Sequence, residues 1–334
     1  MDVDQLSLGI EFSPENQPSG SDPELQEVYA ALRALDPDGQ KFAAVLRSTI
    51  DQLLNGEVTG RYDWNDLMKT EKTHAGTLVE INLQRQFKFH DGVDMDYSIA
   101  GVDVDCKFSQ TFGAWMIPPE ADEHLCLVVW ADDQKSTWSA GLIRIVQEIL
   151  NNGGNRDKKA TIKSEERKRI VWLWKDFELP ENILLHLDDN IRDQILRQRS
   201  GQSRVTELFR TVHGRRIGRG VVRTLGQQGD YMARIREGDK NRARPKLREE
   251  GIVILGDYPV HQALAALLGG PVPKEGEFVA HRLTRYDPEL GNRPHALIEG
   301  EEWTVARDGE PADLPAPQLP NPQKKAEPSS VVSR

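Results

Sequence analysis

Residues 93–108 alternate apolar and polar side chains with a period of two, and this run constrains the fold more than any other. Val93, Met95, Tyr97 and Ile99, then Val102, Val104, Cys106 and Phe108, fall on one side of a ribbon broken by Ala100-Gly101. Successive strand side chains point to opposite faces, so the other side carries Asp94, Asp96, Ser98, Asp103, Asp105 and Lys107. With Ala100-Gly101 as a two-residue hairpin loop, cross-strand partners have numbers summing to 201. Asp96 then faces Asp105, Asp94 faces Lys107, and Ser98 faces Asp103. Aspartate is depleted in strands, and opposed like charges cost about 0.2–1 kcal/mol per pair, so the acidic face calls for a cation.

Mg²⁺ answers that demand: it is hard and octahedral, and takes one or two carboxylates plus waters and phosphate oxygens. Lys107, two residues beyond Asp105 on the same face, is placed to stabilise charge developing on a phosphate or to orient an attacking water. An exposed hairpin with a solubilising polar face fits the spacing equally well, since Asp-x-Lys is a short pattern.

Around the hairpin, helices are predicted from Pro23, carrying Leu25, Val28, Tyr29 and Leu32, and over the run bearing Phe42, Val45, Leu46, Ile50 and Leu53. Asp36-Pro37-Asp38-Gly39 separates them as a turn. A third helix is expected over Thr73–Phe87 with Leu78, Val79, Leu83 and Phe87 buried. A strand is expected at Leu125–Trp130 and a helix at Leu142–Leu150. Trp172 and Trp174 read as core, and Pro180 as a boundary. Strands at Gly251–Leu255 and Phe278–Thr284 enclose a helix at His261–Leu268, and the Pro-rich stretch after 308 reads as a tail without a core. The fold class is α/β (α+β).

Charge is distributed unevenly. The whole chain carries −10 at pH 7, yet Ile191–Arg248 holds fourteen Arg and two Lys against five acidic residues, about +11, leaving about −21 elsewhere. Arg outnumbers Lys, and the guanidinium fork suits phosphates and guanine edges. In Arg215-Arg216-x-x-Arg219-x-x-x-Arg223, cations at i, i+4 and i+8 fall on one side of a predicted helix, with Arg216 adjoining. Gly226–Gly229 would turn into a second helix at Asp230–Arg236, bringing Arg234 and Arg236, as in a helix-turn-helix.

Other classes are disfavoured. No apolar run reaches the eighteen or more residues of a membrane span, and the acidic start lacks the layout of a signal peptide. Cys106 and Cys126, the two cysteines, build no disulfide framework, and a reducing cytoplasm is the expected compartment. No zinc spacing occurs, and the absence of a phosphate-binding Gly-Lys-Ser/Thr loop speaks against ATP.

Met95-Asp96, then Asp105-Cys106-Lys107, resembles the active-site signature of the PD-(D/E)XK nucleases, with Met95 in place of the usual proline. More stretches resemble the NaeI-type restriction endonucleases: Leu35-Asp36-Pro37-Asp38-Gly39, Lys69-Thr70-Glu71-Lys72-Thr73-His74, Gly76-Thr77-Leu78-Val79-Glu80-Ile81-Asn82-Leu83 and Ile99 through Ser109. So do Gly113-Ala114-Trp115-Met116, Asn182-Ile183-Leu184-Leu185-His186, Val205-Thr206-Glu207-Leu208-Phe209-Arg210 and Gly251-Ile252-Val253-Ile254-Leu255-Gly256. They stand in the same order over about residues 28–305.

The resemblance implies an endonuclease domain (24–172) with a mixed sheet flanked by helices, after a disordered lead (1–23). A linker (173–183) and a mainly helical DNA-binding domain (184–307) of helix-turn-helix, topoisomerase-like kind follow, then a disordered tail (308–334). It further implies a homodimer that binds two copies of double-stranded DNA, the second stimulating cleavage. Asp96, Asp105 and Lys107 become the catalytic set, with Glu80 as a further acidic member and Glu80, Asp96 and Asp105 as Mg²⁺ ligands. The implied site is GCCGGC, cut at its centre to blunt ends. A ligase-like Lys-x-Asp-Gly motif is degenerate here as Leu53-Leu54-Asn55-Gly56 and reads as a helix end. Two alternatives stay open at this point: a DNA-binding regulator that does not cleave, and a repair or nicking nuclease on the same scaffold.

Overall fold

The structure is a computed structural model and describes residues 22–152 and 156–320. The chain divides into two compact units: residues up to Ile50 with Met68–Pro180, and Asp51–Leu67 with Glu181 onward. Pro180 is thus a boundary, but Asp51–Leu67 groups with the later part of the chain. The expected linker at 173–183 is corrected as well, because most of it is a sheet strand.

Helix α1 (Pro23–Leu35) starts where Asp22 accepts the Leu25 N–H and Pro23 fills the first turn. It buries Leu25, Val28 and Leu32. Asp36 then receives the Phe42 N–H at 2.8 Å, capping α2 (Gln40–Leu54) from inside the turn. Asn55, left-handed at φ 47°, ends α2, and short α3 (Gly56–Thr59) follows. The αL residue at this helix end is therefore Asn55, with Gly56 beginning the next turn. Helix α4 (Lys69–Phe87) begins four residues earlier than expected, because Glu71 reaches back to the Met68 N–H at 2.8 Å.

The first unit is built on a six-stranded mixed sheet flanked by helices. Its strands are β1 (His90–Asp91), β2 (Tyr97–Ile99), β3 (Val102–Ser109), β4 (Leu125–Asp132), β5 (Thr137–Arg144) and β6 (Val171–Glu178), in spatial order. Only β3 and β4 run parallel. The helix expected at Leu142–Leu150 is instead the end of β5 followed by a 3₁₀ turn. Residues 138–143 are buried on both faces, which erases the period-two signal of a strand. One sheet face packs Trp115, Ile117, Cys126, Val128, Trp130 and Ile143. Elsewhere in the unit Phe42, Trp138 and Trp174 pack with ring centroids 5.1–5.5 Å apart, so Trp174 is core as expected.

The second unit is less helical than expected. Helices α5 (Ile183–His186), α6 (Asp189–Leu196), α7 (Gly201–Thr211), α8 (Arg219–Gly226), α9 (Ala243–Arg248) and α10 (Pro259–Leu267) accompany five strands. These are β7 (Ile217–Gly218), β8 (Ile252–Leu255), β9 (Glu277–Arg285), β10 (His295–Ile298) and β11 (Glu301–Val305), in the order β10-β11-β9-β7 with β8 also on β9. Phe209, Leu208, Val222 and Phe278 centre one core, and Leu255, Leu283 and Trp303 another. Residues 308–320 are not the coreless tail expected: Ala316 is buried and donates its N–H to Arg248 O, and Asp313 N–H bonds Leu283 O. The expected lead (1–23) falls largely, and 321–334 wholly, outside the described residues. Among the described residues, no helix is long and apolar enough to cross a membrane.

Candidate active site

The hairpin turn forms as its sequence demands. Ala100 (φ 54°) and Gly101 (φ 82°) both take left-handed conformations, the requirement of the turn whose twist matches two antiparallel strands. Tyr97 pairs with Val104, Ser98 with Asp103 and Ile99 with Val102, so the register is the expected one. Beyond Tyr97 the regular ladder stops. Residues 93–96 form a bend, because the Asp103 carboxylate accepts the Val93 and Asp94 N–H groups. Asp94 therefore does not face Lys107 across the ribbon, and Asp96 meets Asp105 through its side chain rather than as a ladder partner.

Three of the expected residues come together nonetheless. Strand β3 is interior, with Asp105 beside Cys126 of β4 and Lys107 beside Val128. The Lys107 ammonium pairs with Asp105, stands 3.5 Å from Asp96 Oδ2, and donates to Cys106 O at 3.0 Å. Asp96 Oδ2 in turn accepts the Cys106 N–H at 2.7 Å. Cys126 Sγ lies 3.8 Å from Asp105 Oδ2. Glu80, on α4, has its backbone carbonyl held by the Tyr97 hydroxyl at 2.8 Å.

The electrostatics are those of an underpaid negative cluster. Burial raises the Asp105 carboxyl, Lys107 pulls it back, and Asp96 raises it again; the net direction is up. Glu80 is raised by burial and then by Asp96. Burial disfavours the Lys107 ammonium, but the two aspartates outweigh it and hold the amine protonated above its ordinary range. One ammonium among three carboxylates leaves an excess of negative charge in a half-buried space. That excess, and the hard oxygen donors of Asp96 and Asp105, suit a divalent cation completed by water and phosphate oxygens. Among the described residues, no three His, Cys, Asp or Glu side chains converge as a full protein cage. Asp96 and Asp105 are the adjoining pair, while Glu80 reaches them through its field.

The arginines do not gather as expected. Arg215 and Arg216 precede α8, because 217–218 pair with β9; the i, i+4, i+8 face thus shrinks to Arg219 and Arg223. Residues 231–234 make a single 3₁₀ turn, so 215–236 does not build the expected helix-turn-helix. Arg215 pairs with Glu181 at 2.6 Å, and Arg216 lies 3.9 Å from Glu277. Arg223 sits over the Tyr231 ring at 5.1 Å and 3.7 Å from Glu57. Arg234 donates to Gln228, and Arg236 stands 3.9 Å from Asp230.

Sequence reasoning missed the Cys126 thiol and the Tyr97 hydroxyl. Both occupy positions that read as plain core, and only the fold shows that the thiol meets the Asp105 carboxylate and that the hydroxyl holds the backbone carbonyl of Glu80.

The model of the restriction endonuclease NaeI family matches residues 26–313. The type II restriction enzyme NaeI of Lentzea aerocolonigenes is 50% identical over 313 residues, covering 92% of this chain and 96% of that protein.

Proposed function

The chain belongs to the NaeI family of restriction endonucleases and is a site-specific deoxyribonuclease, and on that premise we propose that it hydrolyses duplex DNA with Asp96, Asp105 and Lys107. The observation that carries the assignment is the convergence of those three side chains where the 93–96 bend comes against β3. Asp96 and Asp105 would hold Mg²⁺, with Glu80 adding negative charge from α4. When bound, the ion supplies Lewis acidity and a water of lowered pKa. Lys107, kept protonated by the two aspartates, faces the negative charge that grows on the phosphoryl oxygens as water attacks phosphorus. The bond to the 3′ oxygen breaks, leaving 5′-phosphate and 3′-hydroxyl ends. The Cys106 N–H fixes Asp96, and the Tyr97 hydroxyl fixes the turn of α4 that bears Glu80.

We further propose a cytoplasmic homodimer in which the second unit binds another copy of the DNA as activator. Its Arg-rich composition supports this, and the packed pair α7 and α8 is available for a helix-turn-helix mode. GCCGGC with a central blunt cut is the proposed site. Digesting a DNA of known sequence in Mg²⁺ and mapping the ends tests the reading. Discrete 5′-phosphorylated fragments, lost in excess chelator and lost in Asp105→Asn with binding retained, are the expected result. Cutting by Asp105→Asn, or gel shifts without any cleavage, would refute it.

A further inference from the structure

Asp103 is a carboxylate of this site that the chemistry above leaves unused. It stands on β3 two residues before Asp105 and pairs across the hairpin with Ser98. Its oxygens turn back toward the chain that precedes β2. The Val93 N–H approaches Oδ1 and Oδ2 at 3.1 Å each, and the Asp94 N–H approaches Oδ2 at 2.8 Å. The Met95 N–H bears on the same carboxylate. Successive backbone N–H groups thus gather on one anion, an arrangement that freezes a bend. The bend also closes tightly on itself: a Cβ on Gly92 would strike the Met95 carbonyl.

The residue that leaves this bend is Asp96. Period-two alternation alone would continue the ladder through 93–96 and set Asp96 flat opposite Asp105. With the Val93 and Asp94 N–H groups captured by Asp103, the chain bends instead, and Asp96 Oδ2 arrives at the Cys106 N–H, 3.5 Å from Lys107. A side chain that offers backbone groups an alternative to the ladder is a known competitor of strand pairing.

We propose that Asp103 is a positioning residue for DNA cleavage: its carboxylate holds the 93–96 bend and thereby aims Asp96. The proposal rests on the reading of Asp96 as part of the cleavage site. Asp103 itself touches neither phosphate nor metal in this role.

The experiment compares full-length parent, Asp103→Ala, Asp103→Asn and Asp96→Ala by single-turnover cleavage of a one-site duplex, metal-free gel shift, and amide hydrogen exchange. Asp103→Ala should slow cleavage about 30-fold, in line with the roughly 10²-fold cost of a misplacement near 1 Å. It should raise the Mg²⁺ concentration for half-maximal rate, leave metal-free DNA affinity within about twofold, and speed exchange at Val93 and Asp94 by about tenfold or more. Asp103→Asn keeps one acceptor oxygen and should fall between Ala and parent in both rate and exchange. Unchanged exchange at 93–94 in Asp103→Ala overturns the proposal, as does faster exchange there with a rate unaltered. If Asp103→Ala melts early, Asp103→Asn decides by the same two readouts. Full activity of Asp96→Ala sinks the active-site reading itself, whereas an inactive Asp96→Ala beside a normal Asp103→Ala sinks only the positioning role.

Discussion

Replacing Lys107 by methionine keeps the stem and removes the charge, which isolates what the ammonium does for Asp105. That carboxyl is only 4% exposed and stands against Asp96, with the Cys126 thiol at 3.8 Å as a weak donor. Breaking a buried ion pair from one side costs about 3–5 kcal/mol, softened here because Lys107 is 20% exposed. The stranded carboxylate can escape by taking a proton. From an ordinary value of 3.8, at 1.36 kcal/mol per pH unit, that escape caps the penalty at about 4 kcal/mol at pH 7 and about 1.6 at pH 5. The sign follows from proton binding. Asp105 is already raised in the parent and rises further in Lys107→Met, so the folded state binds more protons than the unfolded chain. Stability then falls as pH increases above the unfolded value, and the gap between variant and parent closes toward acid. Urea titrations in chelator at pH 5, 6 and 7 read this by tryptophan fluorescence, since Trp115, Trp130, Trp138, Trp172 and Trp174 all lie in the first unit. A loss of about 3 kcal/mol at pH 7 should shrink below about 1.5 at pH 5. Adding Asp105→Asn to Lys107→Met should recover at least half of it. A loss that is flat with pH and persists in the double variant would show that Lys107 stabilises by packing, and the charge argument would fail.

Gly39→Ala should destabilise the first unit by about 2 kcal/mol, because φ is +72° and a Cβ would sit 2.8 Å from Trp174 Cδ1; thermal melting followed by near-ultraviolet dichroism reads it. Arg210 bonds Glu250 at 2.6 and 2.8 Å and also pairs with Glu207, so Arg210→Ala should cost the second unit about 2 kcal/mol at pH 7. Arg210 holds the Glu250 carboxyl below its ordinary range. That contribution is full above the unfolded value and lost as pH falls through the lowered one, so Arg210→Ala should flatten the acid limb of the stability curve. Affinity for duplex DNA should fall steeply with salt, and Arg223→Ala should reduce the slope of log K against log salt by about 1 if that residue meets a phosphate.

The side chains that converge at the proposed site were legible, and the means by which they are held were not. Asp96, Asp105 and Lys107 stood out because a strand face crowded with aspartate calls for a cation, and Ala100-Gly101 set the register correctly. Spacing alone left a solvated polar face equally open, and the resemblance to the NaeI-type enzymes decided between the two readings. The bend at 93–96 escaped both, since Asp103 competes for N–H groups that alternation alone assigns to the ladder. The end of β5, from Leu142, was read as the start of a helix for the complementary reason: burial on both faces leaves a run of apolar residues whose period carries no information. The arginines at 215 and 216 were placed on a helix because nothing local reveals that Ile217 pairs with the far later Phe278. Each failure has one source. Periodicity reports which side of an element is buried, whereas bends and strand partners are decided by groups far along the chain. Here those distant groups include the Cys106 N–H that fixes Asp96, the Tyr97 hydroxyl that anchors the Glu80 turn, and the Cys126 thiol beside Asp105. A sequence can therefore name an active site of this kind before it can say how the site is kept in shape.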